Sequence, residues 1–210
     1  MTAGPAAPEG ERVVAEDPAA PAATTTTLRA DASRIEYGED LVLRFAVASS
    51  TGVPAGSVTV RDAEDRALGT VELVDGEGTL RLERPDPGTR TLTARFAPAS
   101  QHQPSTSAPL EVQVDRASTL SRLRTSSPRA GRVALVVRVL TTPDAGTPTG
   151  RVRVLVDGEL VDGFRLRRRD DGRRRVVQRT GEGRFQVQVL YRGDALHAPS
   201  RSRARTTTAR

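Results

Sequence analysis

Apolar residues recur at every second position along most of this chain, in short runs. Leu41, Leu43, Phe45 and Val47 make one run, followed by Val58 and Val60, then Leu80 and Leu82. Leu92, Ala94 and Phe96 continue the pattern, and Leu110, Val112 and Val114 close it. A second series contains Val133, Leu135, Val137 and Val139, then Val152, Val154 and Val156, then Phe185, Val187, Val189 and Tyr191. A period of two places these side chains on one face of a strand. Asp75-Gly76, Pro87-Gly88, Asp157-Gly158 and Asp171-Gly172 punctuate the runs as turn signals. No long stretch keeps a 3.6-residue period, so helix is expected to be negligible.

The two series are copies of one unit. Gly38 corresponds to Gly131, an offset of 93; Gly52-Val53-Pro54-Ala55-Gly56 corresponds to Gly146-Thr147-Pro148-Thr149-Gly150, an offset of 94. Phe96 corresponds to Tyr191 at 95, as do His102 to His197 and Pro104 to Pro199. Offsets that creep by one residue mean loop insertions between fixed strands. Residues 24–115 and 116–210 are therefore expected to be two domains. Residues 1–23 hold 8 Ala and 4 Pro without hydrophobic period and are expected to be a disordered tail. Seven short strands in about 90 residues predict an all-β fold of two tandem β-sandwiches.

Composition narrows the chemistry. The chain has 210 residues, no Cys and no Trp. A disulfide framework, a Cys–zinc site and thiol catalysis are thereby excluded. All 32 basic residues are arginine, so no P-loop or Schiff-base lysine exists. The longest apolar run, Val133 to Val137, is far short of the ~20 residues of a spanning helix. Membrane insertion is not expected, and residues 1–23 show no basic-then-apolar export signal.

A set of motifs, in order and found twice, resembles the bacterial Ig-like repeat domain of secreted and cell-surface proteins. The first copy has Thr24-Thr25-Thr26-Thr27-Leu28, Tyr37-Gly38, and Gly52-Val53-Pro54-Ala55-Gly56 leading into Ser57-Val58-Thr59-Val60. The second has Ser118-Thr119-Leu120, Gly146-Thr147-Pro148-Thr149-Gly150 and Tyr191-Arg192-Gly193-Asp194. The first copy departs from the pattern with Ala97-Pro98-Ala99 at the Gly-Asp turn. In the second, Arg203 to Arg210 is nearly devoid of apolar residues, and its edge is expected to fray. The resemblance implies immunoglobulin-like sandwiches and a non-enzymatic spacer, adhesion and interaction module, extracellular or in the cell envelope. It implies other envelope or cell-surface proteins or polysaccharides as partners.

Candidate chemistry is sparse. His102 and His197 occupy the same repeat position, each alone in its unit, and read as packing residues rather than ligands or bases. Glu39-Asp40 and Asp170-Asp171 are adjacent pairs, which on a strand point to opposite faces. Calcium at Asp170-Asp171-Gly172 is disfavoured by the flanking arginines. Arg192-Gly193-Asp194 spells an integrin-binding tripeptide, but the Gly-Asp belongs to the repeat's turn. No catalytic, cofactor-binding or metal-binding residue is assigned, and no cofactor is expected.

The arginines carry the alternative reading. Arg165, Arg167, Arg168, Arg169, Arg173, Arg174, Arg175 and Arg179 crowd fifteen residues. Residues 1–115 hold 10 Arg against 18 acids, and residues 116–210 hold 22 Arg against 8 acids, nets of −8 and +14. If Asp171-Gly172 turns a hairpin, the two arginine triplets lie side by side at its tip. The guanidinium fork suits phosphate and carboxylate. Such an anion-binding module would hold teichoic acid, acidic polysaccharide or nucleic acid. Sequence-specific nucleic-acid recognition is not expected, because the aromatics fall on core-facing positions and leave no stacking platform.

Overall fold

The computed structural model describes residues 20–99 and 101–209. The expected tail at 1–23 falls largely outside the described residues. Within it, the Ala22 amide donates to the Gln101 carbonyl at 3.0 Å, and the Gln103 amide donates back to Ala22 at 2.8 Å.

The first repeat is a sandwich of two sheets. One holds β1 (Thr24–Ala30), β3 (Leu41–Ser49) and β6 (Glu77–Leu82), in the order β1-β3-β6. The other is built from β2 (Arg34–Glu36), β4 (Gly56–Arg61), β5 (Ala67–Glu72), β7 (Gly88–Pro98) and β9 (Leu110–Asp115). Its order is β2-β9-β7-β4-β5, and β8 (Ser105–Thr106) pairs with β7. All of these ladders are antiparallel except β2–β9, which is parallel. The alternating residues read from the sequence meet between the sheets. Leu43, Val58, Val60, Leu92, Ala94, Phe96 and Val112 are all fully buried.

The second repeat reproduces the plan. Its first sheet is β10 (Leu120–Arg129), β11 (Arg132–Leu140) and β14 (Arg173–Arg179). Its second is β12 (Gly150–Val156), β13 (Glu159–Leu166), β15 (Gly183–Tyr191), β16 (Ser200–Arg201) and β17 (Arg205–Ala209). A separate core gathers Val133, Leu135, Val137, Val152, Val154, Val189 and Tyr191. Each repeat thus has seven strands longer than three residues, plus one or two short ones. Among the described residues helix is confined to two 3-10 turns, at Pro143–Ala145 and Arg168–Asp170.

Two sequence expectations change. The polar last strand does not fray: β17 pairs with β15 over five residues, Gly183↔Ala209 to Val187↔Arg205, and Ala209 is buried. Backbone ladder bonds do not need apolar side chains, and the strand turns Ala209 and the half-buried Thr207 inward. Asp171-Gly172 does adopt the left-handed conformation of a turn, with φ of 47° and 64°, but it turns no hairpin. β13 belongs to the sheet of β12, and β14 pairs with β11 in the facing sheet. The chain crosses between layers there. A Cβ on Gly172 would lie 2.4 Å from the Val139 carbonyl oxygen, so only glycine fits the crossing.

Candidate functional site

The two glycine motifs of the second repeat are halves of one contact. Gly150, at φ 103°, lies so close to Gly193 that an added Cβ would sit 2.5 Å from its carbonyl oxygen. Beside them the Asp194 carboxylate accepts from the Thr149 amide at 2.9 Å and the Thr149 hydroxyl at 2.7 Å. Its second oxygen accepts from the amides of Leu196 (2.9 Å) and His197 (2.8 Å) and from His197 Nδ1 (2.9 Å). Burial alone would raise this carboxyl. The hydrogen bonds from Thr149, Leu196 and His197 overcome that and hold it down at about 2. The carboxylate of Arg192-Gly193-Asp194 is therefore engaged by its own turn and by Thr149 of the loop before β12. In the first repeat Ala99 replaces the aspartate, and closure is left to backbone, with the Ala99 amide donating to Ala55 at 3.0 Å.

The equivalent histidines differ in the same way. His197 is buried, with Nδ1 on Asp194 and Nε2 3.0 Å from the Ala145 carbonyl oxygen. The ring nitrogens of His102 are buried without a hydrogen-bond partner among the described residues. One substitution should then act oppositely at the two places. His197→Phe removes the ring-nitrogen contacts to Asp194 and to the Ala145 carbonyl and is expected to destabilise the second repeat by about 2 kcal/mol. His102→Phe removes unpartnered polar atoms, so the first repeat's stability should hold or rise. Urea unfolding of each variant checks both signs, and equal losses would refute the contrast.

The two repeats touch at a small polar joint. Two residues, Arg116 and Ala117, run between the end of β9 at Asp115 and Ser118. Glu36, at the end of β2, accepts from the Ser118 amide at 3.0 Å and the Ser118 hydroxyl at 2.8 Å. The Tyr37 amide donates to the Asp115 carbonyl at 2.8 Å, and Arg34 is ion-paired with the Asp115 carboxylate. The Tyr37 ring meets His197 edge-on, with centroids 6.5 Å apart. Gly38, at φ 104°, lies against the 3-10 turn of the second repeat, and a Cβ there would be 2.9 Å from the Ala145 nitrogen. The Tyr-Gly motif of the first repeat is thus the surface that meets the second.

The predicted arginine cluster is divided among several surfaces. Arg165 lies on β13 opposite Arg151, beside a shallow hollow of about 510 Å³ that Phe164 also lines. Arg167, Arg168 and Arg169 are exposed in the crossing, where Asp170 accepts from the Arg167 amide at 2.7 Å. Arg174 turns inward from β14. Its guanidinium stacks 5.4 Å from the Phe164 ring centre and donates to the Arg165 carbonyl at 3.1 Å. Only Arg173, Arg175 and Arg179 share a face, the outer side of β14.

That face holds arginines the sequence reading did not single out. Register sets Arg122, Arg138 and Arg173 side by side across β10, β11 and β14. The next outward row is Arg124, Val136, Arg175; then Ser126, Ala134, Val177; then Arg129, Arg132, Arg179. None of the three strands contains an acidic residue. The signal was present as polar positions alternating with the core run, Arg122 and Arg124 about Leu123, but it needed the strand order to be assembled.

Acidic pairs elsewhere serve the fold. Glu39 accepts from the Glu36 amide at 2.7 Å, and Asp40 binds Arg81 and the Arg84 amide. Among the described residues no group of three His, Asp or Glu side chains is placed to hold a metal ion. No described helix is long and apolar enough to cross a membrane.

The two-sheet fold agrees with comparison to known proteins. Residues 22–115 match the family model of the bacterial Ig-like domain (group 3). The first repeat is a bacterial Ig-like domain. No curated protein matches the chain in sequence. Among solved structures, the Ig-like pair is similar to a tetra-tandem repeat from the extending region of a large adhesion protein. The identity is 14% and the TM-score 0.50, over 89% of this chain and 49% of that one. The Yersinia pseudotuberculosis adhesin InvE is similar at 16% identity and a TM-score of 0.47, over 87% and 58%. Fibronectin(III)-like modules of Clostridium thermocellum CbhA align at 15% and 0.34, over 88% and 94%. The chain thus spans about half the length of the two adhesins' solved structures. At these identities the likeness concerns the fold.

Proposed function

We propose that this chain is a non-enzymatic spacer and adhesion module of an extracellular or cell-envelope protein, its two Ig-like domains meeting at residues 115–117. The observation that carries the reading is the joint. A spacer must hold successive domains at a set angle. Here Glu36 grips the first residue after the connector, and Gly38 allows a backbone approach that any side chain would obstruct. Among the described residues no strand pairs across the connector, and the two cores draw on separate residues. The family match and the adhesion-protein repeat of like fold support the assignment. Other envelope proteins or surface polysaccharides are the partners such a module would meet.

Solution scattering with amide residual dipolar couplings tests it. The wild type should fit one inter-domain orientation. Glu36→Ala combined with Tyr37→Ser should loosen that orientation while each domain's own couplings stay unchanged. Wild-type couplings that require freely reorienting domains would overturn the reading.

A further inference from the structure

The outer face of β10, β11 and β14 does something different from the corresponding face of the first repeat. There, on β1, β3 and β6, the outward arginines are Arg29, Arg44 and Arg81, and two of them are ion-paired, Arg44 with Asp31 and Arg81 with Asp40. In the second repeat no arginine of this face forms an ion pair among the described residues, although six of its eight sit in full rows of three. Neighbouring strands lie about 4.8 Å apart and alternate residues roughly 7 Å apart. The guanidinium groups therefore form a lattice of positive charge over a flat surface. Like charges at such spacing repel, and the arrangement is relieved only by anions.

We propose that this face binds an acidic polysaccharide, a linear sugar polymer bearing carboxylate or sulfate groups. Charge complementarity requires a multivalent anion, since single ions would be exchanged for salt. The guanidinium fork takes carboxylate or sulfate oxygens two at a time. Between the arginine rows lie the exposed, uncharged Ser126 and Val177, the latter 46% exposed, on either side of the buried Ala134. Sugar rings between charged substituents fit against such small and apolar side chains. No aromatic side chain lies on the face, so the bases of a single-stranded nucleic acid would find nothing to stack on. The site extends around the β10 edge, where Arg122 and Arg124 share a hollow of about 440 Å³ with Arg201, Arg203 and Arg205. This inference does not depend on the spacer reading: a flexible joint would leave the face intact.

The test uses the full chain with polygalacturonate and heparin, neutral dextran, and a single-stranded oligonucleotide of matched charge, at several salt concentrations. Binding to the two acidic glycans is expected, with none to dextran and at least tenfold weaker binding to the oligonucleotide. Arg122→Ser, Arg138→Ser and Arg173→Ser together should lower glycan affinity at least tenfold. They should also flatten the salt dependence by about two to three units, at roughly 0.9 per cationic contact removed. Removing the same charge from the crossing, as Arg167→Ser, Arg168→Ser and Arg169→Ser, should change affinity less than twofold. Arg122→Lys, Arg138→Lys and Arg173→Lys, which keep charge and fold, should retain the salt slope but lose severalfold in affinity with the fork. Absence of glycan binding, equal loss in the crossing variant, or an oligonucleotide bound as tightly as the glycans would each overturn the proposal.

Discussion

Phe96→Ala is expected to destabilise the first repeat by about 4 kcal/mol, the range for truncating a fully buried phenylalanine. The ring is fully buried between the sheets, packed with the cluster that includes Val58 on the neighbouring β4. Its removal leaves a cavity in a core of mostly small aliphatic residues. None of that cluster belongs to the second repeat, whose own core gathers around Tyr191. The loss should therefore fall on one transition. Amide resonances followed through urea should show signals of residues 24–115 shifting to a lower midpoint. Those of residues 120–209 should move little, by no more than the joint contributes. A single transition shifted for both repeats would contradict the separation of the cores.

Asp194→Ala should have the second large effect, about 3 kcal/mol in the second repeat. Five donors converge on this carboxylate, and its removal leaves the Thr149 hydroxyl and three amides unpaired in a largely buried turn. The same residue sets an acid limb. Its folded-state value near 2 lies below the ordinary 3.8, so its stabilisation is complete above about pH 4 and fades as pH falls toward 2. Urea midpoints measured from pH 2 to pH 6 should fall in this window for the wild type. The variant should show a flatter limb. The first repeat, with Ala99 in the corresponding turn, lacks this contribution. An acid profile unaltered by the substitution would refute the assignment.

Much of the fold was legible because sandwich cores impose a period of two. The run Leu41 to Val47 and its partner Val133 to Val139 are buried as alternation requires. Asp75-Gly76 and Asp157-Gly158 turn with positive φ at both residues, as an aspartate-glycine pair invites. Sheet membership was not legible. The same Asp-Gly signal at Asp171-Gly172 directs a crossing between layers, because local turn chemistry fixes a conformation and not the strand that follows. Hence the arginines nearest one another in sequence were parted, while Arg122, Arg138 and Arg173, far apart in sequence, were brought together. The joint was hidden for a related reason. Tyr37-Gly38 was visible as a motif, but its partners Ala145 and His197 lie more than a hundred residues away, where no local pattern points.

The parallel pairing of β2 with β9 has a mechanical meaning. Tension along the chain enters ahead of β2 and leaves beyond β9, beside the connector. Because the two strands run in the same direction, pulling the ends apart slides one along the other. The bonds at Arg34↔Gln113, Ile35↔Val114 and Glu36↔Asp115 then share the load together instead of opening one at a time. The Arg34–Asp115 ion pair spans the same two strands. Glu36, which also grips Ser118, carries part of that force directly into the next domain. The first repeat is thus braced in shear at the point where a stretched chain would pull on it.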